Sequence, residues 1–102
     1  METAAERFAA VIAAFDDEPE VRVSEARGFS RGGLMRGGKL IAALRGDRLL
    51  LKLPASRVQA LIATGVGAPF DANKGRPMKE WVTVGSEADW PRLAREAAAF
   101  AG

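Results

Sequence analysis

The chain has 102 residues, 48% of them hydrophobic and 27% charged, with a formal net charge of +2, which fits one globular domain with a modest core. Cysteine, histidine and tyrosine are all absent. Disulfides, thiolate metal sites and cysteine nucleophiles are thereby excluded, and the commonest general base and transition-metal ligand are missing.

An enzyme is therefore the disfavoured class, and no cofactor is expected. The opening METAAERF is acidic where a secretory signal is basic. No apolar run approaches the roughly 20 residues that span a bilayer. The expectation is a cytoplasmic protein with no membrane segment. Charge is unevenly spread: residues 1 to 21 carry −5, residues 22 to 57 carry +7, and the remainder balances. A basic middle can attract phosphates or an acidic partner, but arginines and lysines on strands are also ordinary solvated residues that discourage edge pairing.

The spacing of Phe8, Val11, Ile12 and Phe15 predicts an amphipathic helix over 3–16. Thr3, with Glu6 three residues on, forms a capping-box pattern. Pro19, within DDEPE, forbids continuation. VRVSE (21–25) alternates as a half-buried strand does, and residues 28–38 hold five glycines that suit turns or a strand edge. KLIAALR (39–45) and RLLLKL (48–53) follow as a hairpin joined by Gly46-Asp47. In the second strand Leu49, Leu51 and Leu53 should share one side, and Leu50 and Lys52 the other.

The stretch GLMRGGKL (33–40) imitates a phosphate-binding loop, but Leu40 stands where Ser or Thr is required. Such a loop also needs a helix after the lysine, whose N-terminus supplies amides to the phosphates. Here a strand follows, so Gly37-Gly38 is read as a turn between strands.

Residues 55–64 predict a second helix after Pro54, with Val58, Leu61 and Ile62 as its stripe and Gly65 as its stop. A short strand near 68–70 and a strand over MKEWVTV (78–84) come next. The last helix has Asp89 as cap and Pro91 in its first turn. Its residues Trp90, Leu93, Ala97 and Phe100 should face the core. The whole predicts an α+β domain: an antiparallel sheet of about five strands with three helices.

The segment from Phe29 to Val84 resembles the small bacterial TfoX N-terminal domain and the MmcQ/YjbR proteins. GGLMRGGKLIAAL, GDRLLLKL, GVGAPF and GRPMKEWVTV carry the likeness. Phe70, Met78, Trp81 and Val82 match the closing segment of TfoX-like domains, and Asn73-Lys74 before Trp81 is similar to the YjbR side. Where the TfoX pattern has Met-Phe-Gly-Gly, this chain keeps only Phe29. The resemblance implies a secretion-chaperone-like arrangement and a regulatory or binding domain without established catalysis. Shared architecture alone does not transfer function.

The candidate partner or nucleic-acid surface is Lys74, Arg76, Lys79 and Trp81, with Arg36 and Lys39. Cations engage phosphates or carboxylates, and an exposed indole stacks on a base or packs on a partner; alternatively Trp81 is core. Strand alternation would place Lys79, Trp81 and Thr83 on one face. A wider basic set adds Arg27, Arg31, Arg45, Arg48 and Lys52, with no recognised nucleic-acid motif beside it. The acidic run Asp16, Asp17, Glu18 and Glu20 lacks the ligand spacing of a calcium loop. Pairing of Glu80 with Asp71 or Glu87 as an acid/base couple has nothing in the spacing to fix it. The expected function is a non-enzymatic domain acting through protein contacts, with a homodimer as one form; the alternative is a DNA-binding accessory domain.

Overall fold

A computed structural model describes residues 2–24, 32–71, 75 and 78–102. In chain order the elements are α1 (Ala4–Ala13), β1 (Val21–Val23), β2 (Leu34–Arg36), β3 (Lys39–Arg45), β4 (Arg48–Lys52), α2 (Ala55–Ala63), β5 (Gly67–Pro69), β6 (Trp81–Val84) and α3 (Trp90–Ala101). All strand pairs are antiparallel, in the order β1-β2-β3-β4-β6-β5. The expected α+β class holds, with six strands among the described residues against the expected five or so. β6 inserts between β4 and β5, which leaves β5 at the edge, where Pro69 and its missing amide are tolerated.

Local signals act as the sequence implies. The Thr3 hydroxyl accepts from the Glu6 amide at 3.1 Å, and the Thr3 amide donates to Glu6 Oε1 at 3.0 Å. Gly37 and Gly38 turn the chain between β2 and β3 with φ of 58° and 80°, a backbone that residues with a Cβ adopt at a cost. Residues 33–40 are thus a strand, a turn and a strand, not a nucleotide loop. Asp89 accepts from the Arg92 amide at 3.2 Å to cap α3.

Directly paired residues share a face of an antiparallel sheet. The rows Ala42–Leu51–Val82 and Leu44–Leu49–Val84 therefore point the same way. Leu49, Leu51, Val82 and Val84 join Phe8 and Val11 of α1, Val58 and Leu61 of α2, and Leu93, Ala94 and Ala97 of α3 in one core. All three helices thus lie on one side of the sheet. A β-bulge interrupts the alternation: Leu34 opposes Ala42 while Met35 opposes Leu40, so Ile41 is the extra residue. Ile41 and Ala42 are consecutive, and both belong to the core.

On the opposite side the row Ala43–Leu50–Thr83 is also buried, though outside that core. The Arg48 guanidinium donates to Thr83 Oγ1 and to the Thr83 carbonyl, each at 3.1 Å, and so satisfies the buried hydroxyl.

Two expectations need correction. Phe100 does not face the core with Trp90, Leu93 and Ala97 but is 39% exposed, because the stripe that packs on the core in the last turns of α3 runs through Ala97, Ala98 and Ala101 and leaves Phe100 at its margin. Met78, Lys79 and Glu80 are not strand residues: the Trp81 amide donates to the Met78 carbonyl at 3.2 Å, which makes them a turn ahead of β6.

Gly67 lies where α2 crosses the sheet; a Cβ there would stand 2.7 Å from Val82 Cγ2 and 3.0 Å from Leu61 Cβ. Gly67→Ala should therefore cost about 1–3 kcal/mol by overpacking, read as a lower urea midpoint with an unchanged slope. The Glu6 carboxyl is held below the usual glutamate range, first by the hydrogen bond from the Thr3 amide and second by the Thr3 hydroxyl. Its contribution is complete above the unfolded-state pKa and fades as pH falls through the lowered folded value. Melting curves across acidic pH should show the wild type's advantage over Glu6→Gln shrinking as pH drops.

Candidate functional site: a lysine–tryptophan corner

Antiparallel pairing brings six strand termini to one end of the sheet: the start of β1, the end of β2, the start of β3, the end of β4, the start of β6 and the end of β5. On the β4–β6 flank of that end, Lys52 is paired with Trp81. The Lys52 ammonium lies 5.7 Å from the Trp81 ring centroid, within cation–π range. Lys52 and Trp81 are half-buried, whereas Lys39, Lys79 and Glu80 are exposed.

Two concavities meet at this corner. One, of about 250 Å³, is lined by Lys39, Lys52, Glu80, Ala97, Phe100 and Ala101. The other, of about 340 Å³, is lined by Lys52, Ala55, Met78, Lys79, Glu80 and Trp81. Lys52 and Glu80 are common to both walls. Among the described residues, three ammonium groups against one carboxylate make the corner net positive, with an indole and an exposed phenyl ring as apolar surface.

Of the residues expected to form a surface, Lys39, Lys79 and Trp81 are gathered here around Lys52. Lys74 and Arg76 lie outside the described residues, as do Arg27 and Arg31. Arg36 has another use: its guanidinium donates to Glu20 at 3.0 and 3.2 Å and to the Ala98 carbonyl at 2.7 Å. It thereby caps the C-terminal turn of α3, where a cation also suits the helix dipole. The wider basic set is divided between faces. Arg45, Arg48 and Lys52 share the side without helices, whereas Arg36 reaches α3 on the other.

Glu80 shares neither concavity with Asp71 or Glu87. Glu87 follows β6 and Glu80 precedes it, so the strand separates them. Among the described residues, no three carboxylates converge as a metal-ligand group, and no helix is long and apolar enough to cross a membrane.

Sequence reading counted Lys52 only among the basic strand residues and sent Phe100 to the core. The position of Lys52 depends on β4 pairing with β6 rather than with the strand that follows it in sequence, and no local pattern encodes that pairing. Comparison with protein-family models, curated proteins and solved structures gave no match.

Arg36→Ala should lower stability by about 1–2 kcal/mol, since charge-assisted hydrogen bonds contribute more than neutral ones but the Glu20 pair is partly solvated. The same variant should leave binding at the lysine corner within about twofold of wild type. Chemical denaturation together with a binding titration separates these two roles.

Proposed function

We propose that the protein is a non-enzymatic, cytoplasmic interaction domain that binds an acidic segment of a protein partner at the lysine–tryptophan corner. The observation that carries this reading is the placement of Lys39, Lys52 and Lys79 around two joined concavities that also expose Trp81 and Phe100. An aromatic anchor ringed by charge is the kind of surface on which binding energy concentrates. The resemblance to TfoX N-terminal and MmcQ/YjbR domains supports a regulatory binding role, and the lack of histidine and cysteine supports a non-catalytic reading.

DNA is the second reading, favoured by the net positive charge of the corner. Among the described residues, the three lysines of the corner neutralise at most three phosphates, which gives a salt slope of about −2.7, against the 6–10 phosphate contacts of strong DNA binders. The indole face is also shared with Lys52 rather than left open for a base. Both points favour a protein ligand.

A short Glu-rich synthetic peptide with a central Leu, titrated while Trp81 emission is followed, should bind the wild type. Binding should be about tenfold weaker or worse in Lys39→Ala/Lys79→Ala, a loss of about 1.4 kcal/mol. Trp90, fully buried, should report an unchanged fold. A labelled duplex that binds more tightly than the peptide at the same ionic strength would transfer the corner to nucleic acid.

A further inference from the structure

The same end of the sheet that carries the lysines carries the acidic run. Residues 16–20 lead directly into β1, and the turn is closed by bonds from the Glu18 amide to the Phe15 carbonyl at 2.9 Å and from the Val21 amide to the Glu18 carbonyl at 3.1 Å. Because Val21 pairs with Arg36, and Arg36 with Lys39, this turn is a lateral neighbour of the lysine corner. From β1 to β4 there are three inter-strand steps, about 14 Å at ~4.8 Å each. On the β1 flank Asp16, Asp17, Glu18 and Glu20 outnumber Arg22, Arg36 and Arg95, which share its concavities, so that flank is net negative and the lysine flank net positive.

Glu20 is paired with Arg36. Asp16, Asp17 and Glu18 are exposed and take part in none of the ion pairs among the described residues. Lys39 and Lys79 are exposed too and take part in none of the ion pairs among the described residues. Beside the acidic run lies a broad depression of about 590 Å³, walled by Pro19, Glu20, Arg22 and the Gly37-Gly38 turn.

We infer that the acidic partner of the lysine corner is a second copy of this chain, held end to end about a twofold axis. This inference rests on the protein-binding reading of the corner given above. A twofold axis through the sheet end, near the Gly37-Gly38 turn, sets the acidic flank of each copy on the basic flank of the other. Both contacts form at once, as an isologous interface requires. A parallel stacking that set lysines on lysines would be repelled, so charge selects the twofold arrangement. Opposed charges contribute orientation and association rate more than affinity; Phe100, Met78 and Trp81 supply apolar area.

The test is a charge exchange read by sedimentation velocity. The wild type should be a dimer at ~50 mM salt whose dissociation constant rises at least tenfold at ~500 mM, where screening shortens the Debye length. Lys39→Glu/Lys79→Glu and Asp16→Lys/Glu18→Lys should each be monomeric alone. Mixed in equal amounts they should form a heterodimer, because both contacts regain opposite charges; this also shows that both variants are folded. A wild type that stays monomeric at low salt, or a mixture that stays monomeric, overturns the inference. The Glu-rich peptide titrated into Asp16→Lys/Glu18→Lys separates the two readings. If the peptide binds while the wild type is monomeric, the corner remains a protein site and only self-association fails.

Discussion

The guanidinium of Arg7 sits 4.2 Å from the centroid of the Trp90 ring and donates to the carbonyls of Ser86 and Ala88, each at 2.9 Å. Those two carbonyls belong to the turn that carries the chain from β6 into α3. Trp90 is itself fully buried and donates its indole N–H to the Gly85 carbonyl at 2.8 Å. One cation thus fixes α1, the β6–α3 turn and the first residue of α3 against each other. A cation on an indole contributes about 0.5–2 kcal/mol, depending on desolvation, and the two charged hydrogen bonds add to it. The helix layer on the sheet depends on this junction, because α1 and α3 are the first and last elements of the fold and no covalent connection brings them together.

The second constraint is the sheet, which buries side chains on both faces. Leu49 and Leu51 meet the helices, while Leu50, between them in sequence, is equally buried on the other side. Its row is flanked along β4 by Arg48 and Lys52, and Arg48 is committed to Thr83. Little of the middle of this sheet is left for a partner. The chemistry a partner can reach is concentrated at the strand ends, where the pairing of the sheet places side chains that are distant in sequence next to one another.

What the sequence made legible was local. Thr3 with Glu6, Asp89 with Pro91, Gly37-Gly38 and the alternation of Leu49, Leu50 and Leu51 each carry their structure within a few residues, and each formed the element it signals. Arg7 and Arg36 were not legible in the same way. A helix arginine that clamps a turn 79 residues away has the same neighbours in sequence as one that points into water. Arg36 looked like a free strand cation because Glu20 and the end of α3 come near it only when the sheet is assembled. Phe100 kept helical phase with Leu93, but the stripe that packs on the core shifts toward Ala98 and Ala101 in the last turns and leaves Phe100 at its margin. Residue type marks Lys39 as a surface cation but leaves Trp81 open between surface and core; their meeting around Lys52 needed the order β3-β4-β6.

The extra residue at Ile41 has an effect beyond the core. Strict alternation would put Lys39, Ala43 and Arg45 on one side of β3, the side without helices. The bulge changes the parity of the strand, so that residues before it are shifted by one side relative to those after it. Lys39 therefore comes to the helix side and lines a concavity with Phe100, while Arg45 stays on the other. Removing one residue at Ile41–Ala42 would restore regular pairing and exchange the sides of Lys39 and Leu40. A small deletion inside the core would then act as a charge relocation at the surface, with no lysine gained or lost.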